Sequence, residues 1–288
     1  MNVTFIGLGI MGRRMAANLL DNPDVTLTVC NRSLGPVAEL EAAGARAADD
    51  WTTAVRDADV VFTMLASPDV VEAVAFGDGG FVAAMRDGAL WVDCSTVNPS
   101  FSRRMAERTR EHGRRFADAP VAGTRQPAEE GTLTFLVGGD SADYQRLEPL
   151  LRSMGEKILH VGDTGQGASF KMLVNAMLAQ SMAVYSETAL LGEKLGFSRD
   201  FLMQTLPGLP VSAPFLAGKA GLIRQGDYPP QFPLEWMHKD LHLLALTAYE
   251  HDQPMHLANL AKELYAGAKQ AGRGRDDFAA IFEYLDNG

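Results

Sequence analysis

The chain has 288 residues, enough to bury a sizeable core in one or two domains. Its composition, 47% hydrophobic and 22% charged, is that of a globular protein, and a formal net charge of −10 opposes nonspecific binding to nucleic acid or anionic lipid. No apolar run reaches membrane-spanning length, and two cysteines, Cys30 and Cys94, are too few for a disulfide framework and fit a reducing compartment.

The opening residues run directly into a strand at 3–6, without the basic and apolar regions of a signal peptide, so a cytoplasmic location is expected. Gly7-Leu8-Gly9-Ile10-Met11-Gly12 follows at once, then a helical pattern through Met15, Ala16, Leu19 and Leu20. Strand, glycine turn and helix together are the context that a dinucleotide fingerprint requires. Gly7 allows the tight turn, Gly9 lets backbone approach a pyrophosphate, and Gly12 lets the helix pack on the strand. These residues, with Leu8, Ile10 and Met11, are assigned to cofactor binding. The second strand, 25–29, ends at Cys30-Asn31-Arg32-Ser33, where an NAD-binding domain places an acidic residue for the ribose 2′-hydroxyl. Asn31 does not repel a 2′-phosphate, Arg32 can pair with one, and Ser33 can donate a hydrogen bond. NADP(H) is therefore expected over NAD(H). The plainer reading of Arg32 is a solvated loop arginine, which explains its place at the strand end less well.

Helices are expected at 36–43, 52–56, 69–75, 99–112 and 141–154, and strands at 59–64, 89–92, 115–118, 134–137 and 157–161. The alternation argues an α/β fold with a doubly wound, mostly parallel sheet of Rossmann type. The strand at 59–64 leads into Leu65 and Ala66, a loop at the carboxyl edge of the sheet, where cofactors lie. The strand at 89–92 leads into Asp93-Cys94-Ser95-Thr96 at the same edge.

After Gly162 the pattern is helical throughout, with no strand signal. One long interdomain helix is expected at 168–195, ended by Gly196, then helices at 199–206, 214–224, 239–251, 258–270 and 276–285. The expected division is an α/β domain at 1–162 and an all-α domain at 163–288. A proline-rich loop at 226–233 leads to His238-Lys239-Asp240, read as capping and opening the next helix. The long helix opens with Gly165-Gln166-Gly167-Ala168-Ser169-Phe170-Lys171-Met172-Leu173-Val174-Asn175. Lys171 and Asn175 share one helix face, one turn apart. Among apolar neighbours a lysine is partly dehydrated, which disfavours its ammonium form and suits it to proton transfer. On this stretch alone a lysine that snorkels to solvent is the preferred reading, and the N-terminal fingerprint reverses that preference. His238 and His242 have i,i+4 spacing but no acidic helper in a metal pattern, so they are read as a helix face and no metal is expected.

With these residues in view, the chain resembles the β-hydroxyacid dehydrogenase family over nearly its whole length. Four ordered blocks carry the resemblance: the run from Phe5 to Gly12, Asp93 to Thr96, Asp118-Ala119-Pro120-Val121, and Gly165 to Asn175 with its Gly-x-Gly-x-x-x-Lys-x-x-x-Asn pattern. The stretch from Gln126 to Leu133, and Phe232-Pro233-Leu234 with Lys239-Asp240 after it, are most similar to the glyoxylate/succinic semialdehyde reductase branch. The resemblance implies an NADPH-dependent reductase of short aldehyde or keto acids, working as a homodimer or homotetramer on a small-molecule carboxylate. It implies Lys171 as general acid, Asn175 as its orienting neighbour, and backbone amides around Ala122, Gly123 and Thr124 as holders of the substrate carboxylate, aided by Ser95 or Thr96. It further implies Lys239 at the nicotinamide end and Phe232 as a wall. The long helix, through Met177, Leu178, Met182, Val184, Ala189 and Leu190, is expected to pack on another subunit as well as its own domain.

The family's usual run after Asp-Ala-Pro-Val is Ser-Gly-Gly, where this chain has Ala122-Gly123-Thr124. Backbone donors survive that change, while substrate identity is put in question. Arg125 could pair a distal carboxylate, as in succinic semialdehyde, or be a surface arginine. The imine reductases share the fold and fingerprint but usually carry Asp or Tyr where Lys171 stands. An oxidative hydroxyacid dehydrogenase and a catalytically silent binding module are the remaining readings, and the intact Lys171, Asn175 and glycine turn count against the second.

Overall fold

Side chains of the first strand, β1 (Asn2–Ile6), alternate between two buried faces: Val3 and Phe5 enter one core and Ile6 another. The computed structural model describes residues 1–287. The chain divides into two compact units between Lys171 and Met172.

The first unit is built on β1, β2 (Thr26–Cys30), β3 (Arg46–Ala47), β4 (Val60–Thr63), β5 (Leu90–Asp93), β6 (Arg115–Asp118), β7 (Val121–Ala122), β8 (Leu133–Gly138) and β9 (Gly155–Gly162). The strand order is β3-β2-β1-β4-β5-β6-β8-β7, with β9 paired to β8. Pairing is parallel from β3 through β6 and between β8 and β9. It is antiparallel where β8 meets β6 and β7. The order reverses at β1 and β4, and in open α/β sheets that switch point opens a crevice beyond the carboxyl ends of the strands.

Helices α1 (Gly12–Leu20), α2 (Leu34–Ala42), α3 (Trp51–Val55), α4 (Pro68–Phe76), α5 (Pro99–Glu111), α6 (Arg125–Glu129) and α7 (Ser141–Leu151) complete this unit. On one face Val3, Phe5, Val29, Phe62 and Val92 pack with Met15 and Leu19 of α1 and Leu147 and Leu151 of α7. On the other, Ile6, Val61 and Trp91 pack with Val55, Val71 and Met105 of α3, α4 and α5. Trp91 is fully buried, edge-on to Phe81 at 5.2 Å and Phe116 at 4.8 Å, and its Nε1 donates to Thr63 Oγ1 at 2.8 Å.

Helix α8 (Gln166–Lys194) begins in the first unit and continues into the second. The second unit adds α9 (Arg199–Thr205), α10 (Leu216–Gln225), α11 (Leu234–Glu250), α12 (His256–Ala268) and α13 (Ile281–Asp286). Its core takes Met172, Ala176, Ala179, Met182, Tyr185 and Ala189 from α8, a helical stripe, with Met237, Leu241, Tyr265, Ile281 and Phe282. Among the described residues no helix is long and apolar enough to cross a membrane.

The structure departs from the sequence reading at β3, at β7 and α6, and at the start of α11. Strand β3 is a two-residue exposed edge strand, too short to leave a pattern. The stretch after β6, to which the sequence reading assigns no element, contains β7 and the one-turn helix α6. Helix α11 starts at Leu234, not near Lys239, because its first amides bond across the fold: Leu234 to Asp276 O at 2.8 Å and Glu235 to Gly274 O at 3.0 Å. His238, Lys239 and Asp240 therefore lie inside the helix and do not open it. The long helix turns Met182 and Ala189 fully inward onto its own domain, as expected, while Met177 and Val184 are 72% and 61% exposed.

Candidate functional site

The turn after β1 is dictated by space. Gly7 has φ +98°, a conformation that side chains rarely adopt, and a Cβ there would overlap Met64 O at the end of β4. A Cβ on Gly12 would overlap Gly7 O, so α1 starts against the strand it follows. A Cβ on Gly9 would meet nothing within 4 Å: this exposed residue faces open space. Helix α1 has no side-chain cap, and Ile10 and Met11, half-buried, lead into it. An open backbone turn at an uncapped helix N-terminus fits a dinucleotide pyrophosphate. Leu8 is buried, and its amide donates to Asn31 Oδ1 at 3.0 Å, while Asn31 Nδ2 donates to Ser33 O at 3.0 Å. Asn31 thus ties the glycine turn to the end of β2, a role not legible in the sequence. Arg32 and Ser33 are exposed beside it, and Ser33 precedes α2 without using its hydroxyl as a cap.

The loops after β4 and β5 are tied to each other. Thr63 Oγ1 donates to Asp93 Oδ1 at 2.8 Å, the Ser95 amide donates to the same oxygen at 3.1 Å, and the Leu65 amide donates to Ser95 Oγ at 2.9 Å. Ser95 is buried and holds the Leu65 loop, though a hydroxyl that accepts one bond can still donate another. Ala66 is exposed and Thr96 half-buried. Ala122 ends β7, Gly123 is exposed, and Thr124 precedes α6 without a side-chain cap bond. Arg125, the first residue of α6, is half-exposed, with Nε 3.9 Å from Glu129.

Asp118 ends β6 and belongs to the third of the four ordered blocks. It is 1% exposed, its Oδ1 accepts the Gly165 amide at 2.6 Å, and its Oδ2 accepts the Ala168 amide at 2.7 Å. It therefore caps α8, the helix that carries Lys171, from 47 and 50 residues away. Burial pushes its carboxyl up to about 6, against the pull of the amides that it accepts, and the charge of Asp93 raises it further. Capping residues are sought beside their helix, so no local signal marks this one.

Lys171 is buried, one turn past that cap. One turn further on α8, in the second unit, Asn175 is 2% exposed and donates through Nδ2 to Asp240 Oδ2 at 2.6 Å. Its Oδ1 is buried with no hydrogen-bond partner among the described residues, an acceptor open to a ligand hydroxyl or ammonium. Lys239 Nζ lies 2.9 Å from Asp240 Oδ1, so Asp240 joins two residues of the expected site. Phe232 packs on Phe278 at 5.7 Å, and its amide donates to Asp277 Oδ2 at 3.1 Å. Asp277 also accepts from the Gln231 amide at 3.1 Å and from Lys219 Nζ at 2.9 Å. This fully buried pair pins the Phe232 loop.

Other reactive groups are quiet. Burial, with Asp50 and Asp49 nearby, pushes the Cys30 thiol up to about 11, and burial raises Cys94 as well. Among the described residues no three His, Cys, Asp or Glu side chains gather as a metal set.

Residues 2–162 match the family model described as the NAD binding domain of 6-phosphogluconate dehydrogenase. Residues 165–285 match that described as NAD-binding of NADP-dependent 3-hydroxyisobutyrate dehydrogenase. Glyoxylate/succinic semialdehyde reductase 1 of Arabidopsis thaliana is 34% identical over 98% of this chain and 98% of its own length. 2-(Hydroxymethyl)glutarate dehydrogenase of Eubacterium barkeri is 35% identical over 98% of this chain and 93% of its own. Among solved structures, the Mycobacterium tuberculosis 3-hydroxyisobutyrate dehydrogenase with L-serine matches with a TM-score of 0.88 at 29% identity, covering 99% of this chain and 98% of that one.

Proposed function

The chain belongs to the β-hydroxyacid dehydrogenases, a family of NAD(P)-dependent oxidoreductases, and on that premise we propose that it reduces short aldehyde or keto acids with NADPH. The observation that carries the reading is Lys171, buried on the helix that Asp118 caps at the carboxyl edge of the sheet. When bound, the reduced nicotinamide supplies the hydride. Lys171 Nζ would give the proton to the carbonyl oxygen in reduction and take it back in the oxidative direction. Asn175, held by Asp240, offers its open Oδ1 to the lysine or to the substrate hydroxyl. Amides at Ala122, Gly123 and Thr124 hold the substrate carboxylate, with Ser95 or Thr96 assisting and Phe232 as a wall. Arg125, half-exposed at the start of α6, is proposed to meet a second anionic group at the far end of the substrate.

Two features support NADPH over NADH. No carboxylate stands at Asn31 to repel a 2′-phosphate, and exposed Arg32 and Ser33 flank the start of α2. Leu65, Ala66, Thr96 and Lys239 complete the proposed cofactor contacts. The protein is further proposed to work as a homodimer or homotetramer through the outward face of α8. Phe170, Leu173, Met177, Val184 and Leu191 are all between 43% and 72% exposed there, and Leu195, just past its end, is 70% exposed.

The test is cofactor consumption with glyoxylate, succinic semialdehyde, methylglyoxal and a cyclic imine, each with NADPH and with NADH. Turnover of an aldehyde acid with NADPH is expected. Turnover of the imine alone would replace this reading with imine reduction.

A further inference from the structure

In the first unit, Asp118 does more than neutralise a helix end. Ordinary caps come from the residue beside the helix and leave its position relative to the rest of the fold unfixed. Here the cap comes from the end of β6, inside the sheet between β5 and β8, and both carboxylate oxygens are used. The seat has no slack. A Cβ on Gly167 would overlap Leu136 O and lie 2.8 Å from Asp118 Oδ2. A Cβ on Gly138 would lie 2.6 Å from Asp118 Oδ1 and 2.7 Å from the Gly167 amide. Ser169 Oγ donates back to Gly165 O at 2.8 Å, closing the first turn on itself. Lys171 follows Ala168 by three residues on this bolted turn. Four residues beyond Asp118 the same chain reaches Ala122, where β7 pairs with β8 through Val121 and Phe135 and Ala122 and Thr134.

We infer that Asp118 is a positioning residue: it fixes the proton-donating Lys171 in register with the carboxylate-holding segment 122–124, through the amides of Gly165 and Ala168. The inference rests on the reading of Lys171 as general acid. The clamp sets where the lysine sits along and around the helix axis. The backbone that runs on from β6 sets where the substrate anion sits. One carboxylate thus joins two halves of the chemistry that the chain order separates by some fifty residues.

Asp118→Asn keeps the size of the side chain but presents an NH2 to one of the two amides. It is expected to lower kcat by roughly 100-fold, the cost of misplacing a reacting group by about an ångström, while the Kd for NADPH stays unchanged. The deuterium isotope effect from labelled NADPH should rise, because the chemical step becomes limiting. Gly167→Ala, which lifts the helix off the carboxylate without altering it, should give the same pattern, and it serves where Asp118→Asn fails to fold. Lys171→Ala is measured alongside. If it loses turnover while both clamp variants keep wild-type kcat per NADPH-binding site, the positioning role is overturned and the general-acid reading stands. If Lys171→Ala keeps turnover, the general-acid reading falls and the clamp inference with it. A lower melting temperature with unchanged kcat and isotope effect would make Asp118 a structural cap alone.

Discussion

Arg32 and Asp118 are the two single residues whose chemistry makes the sharpest claims. Arg32 stands exposed after β2, at the strand end proposed to meet a 2′-phosphate. Arg32→Ala should raise the KM for NADPH by roughly 10- to 100-fold, the worth of one charge-assisted contact, and leave the KM for NADH nearly unchanged. Steady-state kinetics with both cofactors reads this directly. Asp118 makes a claim about pH. Its carboxyl is raised from 3.8 to about 6, chiefly by burial, with Asp93 adding to the shift. Only the charged form accepts on both oxygens, so turnover should rise between pH 5 and 7 with a midpoint near 6, and Asp118→Asn should flatten that limb. The stability sign is opposite. The folded state holds this proton more tightly than the unfolded chain, so the group's stabilising contribution is full at low pH and lost as pH climbs from 3.8 through about 6.

At the scale of elements, the long-period patterns were legible and the cross-fold ties were not. The glycine turn, the alternation of strands and helices, and α8 with its end near Gly196 follow from local spacing and turn chemistry, which the sequence states outright. The start of α11 is set by carbonyls at Gly274 and Asp276, some forty residues away, and no local cap records it. The same holds for the site. The shared helix face of the proposed Lys171 and Asn175 follows from i,i+4 spacing, whereas Asp118 as a cap and Asp240 as the partner of Asn175 join residues 47 to 65 positions apart. Lys219 and Asp277 belong to this hidden class, paired at 2.8 Å with side chains 5% and 0% exposed. Burial pulls the lysine below its ordinary range while Asp277 pulls it up. Lys219→Ala strands a buried carboxylate and should destabilise the protein by about 3–5 kcal/mol in chemical denaturation. It should also raise the KM for substrate, because the carboxylate that loses its partner holds the Phe232 amide.

For the whole molecule, the exposed stripe on α8 is the feature that a monomer explains least. Met177 and Leu191 are 72% and 60% exposed on a helix whose opposite face is fully buried. Covering them with a second copy is the expected solution. Light scattering should give at least twice the 31.1 kDa chain mass, and Met177→Glu with Leu191→Glu should lower it toward the monomer. A monomer at micromolar concentration would contradict this expectation.

The central claim is that a buried lysine protonates a carbonyl while the nicotinamide delivers hydride. It is tested most directly by single-turnover NADPH oxidation on the best aldehyde acid, comparing wild type with Lys171→Ala after NADPH binding to each is verified. The account predicts unchanged NADPH affinity and a rate lower by roughly 100- to 10,000-fold, the usual worth of a general acid. A variant that binds NADPH and keeps the wild-type rate would contradict it.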